Sequence, residues 1–174
     1  MRITADNWIE ELYINEELIK LDPGPARNWQ QINEVEFEVK PGRNVIAVHC
    51  GDSGVIAGLL ADITFDKTVI VTDRTWKCTT KPGKGWHKID YDEGKWEDAT
   101  EYAQYPQGIW GARVNGMGDP PCEAFWIWTK NNAAGNIDTP VYFRYSWGKL
   151  SVEAREKLSI TWGEIKRINR SYYR

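Results

Sequence analysis

The chain has 174 residues, with 22 Lys and Arg against 25 Asp and Glu and a formal net charge of -3. That balance excludes the dense basic footprint that nucleic acid or an anionic membrane surface requires. The length suits one domain burying ~68–70% of its unfolded surface without covalent staples, no run approaches the ~18 apolar residues of a membrane span, and the opening MRITADNWIE has neither the basic nor the apolar region of a secretory signal.

Taken in order, Ile3 to Asp6 reads as a short strand ended by Asp6-Asn7, whose side chains cap turns. Glu11 to Ile14 and Leu18 to Leu21 form a hairpin through Asn15-Glu16-Glu17, closed by Asp22-Pro23-Gly24-Pro25 because two prolines and a glycine cannot continue a ladder. Trp29 then lies between the amides of Asn28 and Gln30, either as a plug over the end of a sandwich or as a stacking platform. Val35, Phe37 and Val39 alternate with charged residues, the period of a half-buried antiparallel strand. Past the Pro41-Gly42 turn, Val45 to Val48 is continuously apolar and predicts a central strand covered on both faces. Gly51-Asp52-Ser53-Gly54 carries the chain out of that strand and back into the core at Gly58 to Leu60.

Ala61 to Phe65 and Thr68 to Thr72 make a further hairpin around Asp66-Lys67, and a polar stretch then runs from Lys77 to Lys84. Asp90 to Trp96 holds three carboxylates in what reads as a solvated turn, since the other ligand positions of a helix-flanked calcium loop are missing. In Ile109 to Arg113, Trp110 either stacks on a ligand with Arg113 forking onto its hydroxyls, or is buried with Arg113 paired to an acid. AFWIWT at 124–129 is a strand, and VYFRYSW at 141–147 is expected beside it across an Asn-rich loop. KLSITW at 157–162 reads as a strand, with Thr161 and Glu164 matching a capping box for a short helical turn; Asn169-Arg170-Ser171 is a glycosylation sequon for a secreted chain. Strands at this spacing predict an all-β antiparallel sandwich, with residues 1–147 as its body and 148–174 completing or extending the same domain.

Three cysteines leave one over whatever pairs. Cys50 ends the buried strand as a small apolar residue, while Cys78 and Cys122, both in loop-rich sequence, are either bridged or free. No CxxC spacing occurs and His49 and His87 join no ligand cluster, which argues against zinc.

The order ITADN, LYIN, NWQ, PGRNVIAV, AGLLA, VTDRTWKC, YDEGKW, WGAR, FWIWT and VYFRY resembles the galactose-binding-domain-like β-sandwich, a jelly roll found in lectin-like modules and beside the catalytic domains of rhamnosidase-type glycoside hydrolases. The resemblance spans about Ile3 to Tyr145. It implies that Asp6 and Asn7 end a sandwich strand, that Trp29 lies in the loop after the hairpin and Asp52 in the loop after NVIAV, and that this last loop and its neighbours supply the ligands in sugar-binding relatives, often with calcium. Asn15-Glu16 stands where relatives carry Asn-Gly, which implies a longer or differently shaped turn, and Asp52-Ser53 stands where they often carry an amide. Relatives also place WIWT and VYFRY before ITADN, so this chain reads as a permuted domain, a piece of a tandem array, or one whose terminal strand is exchanged in a homodimer.

The expected function is therefore a non-catalytic, lectin-like carbohydrate-binding module of extracellular or cell-surface setting. Its site is expected at Asp6, Asn28, Trp29, Asp52, Trp110 and Arg113, with a glycan as partner, no cofactor required and calcium admitted. The alternatives are a structural or protein-interaction module of an extracellular or matrix protein, and an accessory domain cut from a glycoside hydrolase. No nucleophile, histidine or metal constellation accompanies the carboxylates, so an enzyme is not expected.

Overall fold

A computed structural model describes residues 1–148 of the chain. The readings of a strand at 157–162, the capping box and the sequon lie outside the described residues. The strands are β1 (Arg2–Asp6), β2 (Trp8–Ile14), β3 (Glu17–Leu18), β4 (Asn33–Glu34), β5 (Asn44–Gly51), β6 (Gly58–Phe65), β7 (Thr68–Val71), β8 (Lys77–Thr79), β9 (Glu97–Asp98), β10 (Thr100–Gln104), β11 (Phe125–Trp128), β12 (Asn132–Ala133), β13 (Asn136–Ile137) and β14 (Val141–Trp147), with one helical turn, α1 (Pro23–Ala26). One sheet runs β10-β11-β6-β1-β4 with β7 also on β6; the other runs β3-β2-β5-β14-β8-β9; all their ladders are antiparallel. The two layers pack as a β-sandwich on a core that includes Ile3, Leu12, Ile46, Val48, Leu59, Trp76, Trp128 and Phe143.

The continuous apolar run of β5 is explained by cover on both sides. Ile46, Val48 and Cys50 face the core, while Val45 and Ala47 meet Trp86 and Trp96 from the loop that follows β8. Arg144, fully buried on β14, pins this loop: its guanidinium donates to the carbonyls of Trp86 and, at 3.1 Å, Lys88, pairs with Glu93 at 3.3 Å and lies over the Tyr91 ring. Glu93 also binds Arg43 at 2.5 Å and the Ser146 hydroxyl at 2.8 Å. The acidic turn is thus anchored through Glu93, while Asp90 and Asp92 stay exposed. β6 is covered in the same way, with Leu60 beneath a second cluster of Tyr105, Trp110, Val114, Met117 and Trp126.

Three expectations are corrected and one open choice, the state of the cysteines, is resolved. Val35 and Phe37 keep the alternating burial while Val39 is 38% exposed, and the ladder stops at Glu34, continued by Val35 alone, whose N–H donates to the Met1 carbonyl at 2.9 Å and whose carbonyl accepts from the Met1 amino group at 2.8 Å. The β11 and β14 strands are not neighbours: they lie in opposite sheets and touch across the core, Trp128 and Phe143 having ring centroids 5.4 Å apart. The β2–β3 turn is no longer than two residues; Asn15 and Glu16 adopt φ of 50° and 75°, so Glu16 takes the left-handed place glycine usually fills. The Asn15 side chain, bonded to the Val45 N–H at 2.9 Å and to Asn44 at 2.9 Å, holds that turn against β5. Cys50, Cys78 and Cys122 are all free and buried, so no Cys78–Cys122 bridge exists. Burial raises the Cys78 thiol to about 12 and the Cys122 thiol to about 11, which keeps both protonated at neutral pH.

Candidate functional site

Asp6, Trp29, Asp52, Trp110 and Arg113 do converge on one rim of the sandwich. Asp6 ends β1 opposite Gly58, where β6 begins. The missing Cβ of Gly58 lets Trp126 and Trp110 lie against the sheet, since an added one would stand 2.6 Å from the Trp126 ring and 3.1 Å from that of Trp110. The two indoles stack with centroids 4.6 Å apart, Trp29 meets Trp126 edge-on at 6.3 Å, and the Arg113 guanidinium lies 5.1 Å from the Trp29 ring centre.

The bonds within this rim are directed inward. Trp110 is 2% exposed and its indole N–H donates to Asp6 Oδ2 at 2.9 Å. Asn7 donates to Asp6 Oδ1 at 2.8 Å and accepts from the Ser53 N–H at 2.8 Å, and Asp52 Oδ2 accepts from the Gly54 N–H at 2.8 Å. Arg113 pairs with no acid among the described residues: it donates to the carbonyls of Trp110, at 2.9 Å, and Ile109. Trp110 as a stacking platform is therefore corrected, because its faces and its N–H are already engaged inside the protein. Trp29 is half-buried with Arg113 over its ring, and Asn28 Oδ1 accepts from the Gln30 N–H at 3.1 Å, a local turn bond rather than one directed at the cluster.

Burial pushes the carboxyls of Asp6 and Asp52 above the usual range, against the Trp110 bond on Asp6 and the backbone bonds on Asp52; the Asp52 charge raises Asp6 further. Calcium takes six to eight oxygens. Here, of the four carboxylate oxygens of Asp6 and Asp52, Asp52 Oδ1 is the one without a partner. These residues do not fit the ion, and no three His, Cys, Asp or Glu side chains gather as a metal site among the described residues.

A second candidate lies at the edge formed by β8 and β9. A cavity of about 340 Å³ opens between Thr79 at the end of β8 and Thr80 after it, Lys95 and Glu97 before and on β9, and Asn131 and Asp138. Thr129 donates to Asp138 Oδ2 at 2.7 Å and Asn131 reaches both Asp138 oxygens at 3.3–3.4 Å, which fixes the carboxylate against one wall. Lys130 pairs with Glu97 at 2.9 Å, both mostly exposed, whereas Lys95 forms no ion pair among the described residues. The Thr80 hydroxyl and the Lys95 ammonium have no hydrogen-bond partner among the described residues, and a carboxylate oxygen retains lone pairs beyond those taken by Thr129 and Asn131.

Sequence reasoning missed this cleft. Its signals were the polar run from Lys77 to Lys84 and the Asn-rich loop after β11, both visible but read separately. No protein-family model, no curated protein and no solved structure matches the chain.

Proposed function

We propose that the protein is a non-catalytic carbohydrate-binding module whose sugar sits in the polar cleft at the β8–β9 edge, not on the aromatic rim. The observation that carries this reading is the contrast in free hydrogen-bonding groups. A sugar presents vicinal hydroxyls that both donate and accept, and it is held by fixed carboxylates, amides, hydroxyls and ammonium groups converging on one space. The cleft offers Asp138, Asn131, Thr80 and Lys95 around about 340 Å³, near the small end of the range for ligand pockets. The order of motifs resembling galactose-binding-like sandwiches supports the same class of ligand. A site this open binds weakly, and several copies acting together supply the avidity.

A glycan array probed with the intact chain tests the proposal. Binding is expected, and it falls at least tenfold in Lys95→Ala and Thr80→Val, two changes that remove no bond among the described residues, with the melting temperature unchanged. Binding that survives both substitutions but disappears in Trp29→Ala returns the site to the rim. Silence across the array overturns the sugar reading and leaves a structural or protein-interaction module, which the sealed Trp110 favours.

A further inference from the structure

At the side opposite the polar cleft, the two sheets end in strands with no outer neighbour among the described residues, β3 in one and β4 in the other. Between them runs an open seam, with cavities of about 280 and 510 Å³ whose walls share Ile19 and Glu36. Unpaired strand edges offer backbone N–H and C=O groups to any extended chain that reaches them. Asn33 in this seam is 5% exposed, yet neither its Oδ1 nor its Nδ2 has a partner among the described residues. A buried amide with both functions free matches a passing peptide group, which supplies one donor and one acceptor. Ile19, Leu21 and Phe37 are half-buried along the walls, ready to receive apolar side chains.

The charge selects the occupant. The seam carries Glu17, Asp22, Glu34, Glu36 and Glu38 against Lys20 and Lys40. Residues 149–174 hold seven Lys and Arg against three Asp and Glu, a net +4; the whole chain is at -3, so residues 1–148 stand at -7. Within the basic segment, KLSITW places Leu158, Ile160 and Trp162 at alternate positions, a spacing that puts the three apolar side chains on one side of an extended backbone. The point of departure also fits. Trp147 pairs with Asn44, whose side chain bonds both backbone groups of Lys40, at the mouth of the seam. Ten steps along the chain lead from Gly148 to Leu158, a reach of about 33 Å when extended.

We infer that the seam between β3 and β4 receives the chain's own residues 157–162, from the same molecule. The seam and the sugar cleft lie on different edges, so each stands without the other. Zero-length carbodiimide cross-linking of the intact chain, mixed in equal parts from unlabelled and ¹⁵N-labelled protein and read by mass spectrometry, tests the inference. Links from Lys157 to Glu17, Glu36 or Glu38 are expected, at least fivefold more abundant than links from Lys157 to Asp90, Asp119 or Glu123, and within one isotope. Ile160→Asp lowers the seam links at least fivefold while the chain still melts cooperatively. Links spread evenly over distant carboxylates overturn the inference, as do links that mostly join labelled to unlabelled chains, which point instead to exchange between copies.

Discussion

The rim and the cleft hold similar chemistry and differ in where their hydrogen bonds go. Both bring together carboxylates, amides and a cation. In the rim Trp110, Asp6 and Asn7 bind one another, and Arg113 turns onto the carbonyls of Trp110 and Ile109. In the cleft a fixed carboxylate, Asp138, faces Thr80 and Lys95 across open space. Residue type alone therefore does not identify a site. Bonding capacity left over after folding does: a single donor such as the Trp110 N–H, already spent on Asp6, must break that bond before it can hold a ligand, whereas a carboxylate oxygen with one partner still has a lone pair to offer.

The sharpest way to break the comparison is to remove a rim indole. Trp110→Ala takes away a 2%-exposed side chain and leaves Asp6 Oδ2 without its donor. The expected loss is about 3–5 kcal/mol, a fall in melting temperature on the order of 10 °C. Gly58→Ala attacks the same stack from below, since its Cβ would press on two rigid rings at 2.6 and 3.1 Å, with an expected cost of about 1–3 kcal/mol. Thermal melts check both. A Trp110→Ala protein that melts within a degree or two of the parent would show the indole to be dispensable to the fold and reopen the rim as a site.

How much of this was legible can be argued residue by residue. The continuous apolar run in β5 announced cover on two faces, because one wet face would have left alternation. What covers it was not legible, since Trp86 and Trp96 are set in place by Arg144, some 50 residues further along the chain. Alternation at Val35 to Val39 reported burial for Val35 and Phe37 but not a ladder, and the two properties separate wherever a strand pattern runs past its partner's end. Turn chemistry and motif order gathered Asp6, Trp29, Asp52, Trp110 and Arg113 at one end. That the cluster is closed depends on the bond from Trp110 to Asp6, across 104 residues of sequence. The cleft failed for the same reason: Thr80 and Asn131 stand in polar runs that nothing local joins.

A smaller effect follows from the buried carboxyls. Asp52 has a folded-state pKa raised by burial, so its contribution to stability is fully present below the unfolded value, about 3.9, and is lost as pH rises through the folded one. Asp52→Asn removes that loss and is expected to raise the melting temperature at pH 7, the gain shrinking to nothing near pH 3. Glu93 behaves oppositely. Burial raises its pKa, but Ser146, Arg144 and Arg43 outweigh that and hold it below the ordinary range. Its contribution is present above about pH 4.3 and is lost as pH falls through the lowered value. Melts of Glu93→Gln from pH 3 to 7 are expected to show the largest deficit at pH 7. An Asp52→Asn gain that grows toward acid would contradict the assignment of burial as the dominant cause.

The smallest effects on stability are expected in the cleft, where they say most. Lys95→Ala and Thr80→Val remove groups with no internal partner among the described residues, and surface changes of that kind stay within about 0.5 kcal/mol. Asp138→Ala provides the internal control. It strips the acceptor from Thr129 and Asn131 and is expected to cost about 1–3 kcal/mol, as a buried partner left unpaired does. The order Asp138 above Lys95 and Thr80 in melting, with all three level in loss of ligand, is the pattern of a fixed wall facing free groups. If Lys95→Ala and Thr80→Val destabilise as much as Asp138→Ala, the cleft is held together by those groups and is no more available to a ligand than the rim.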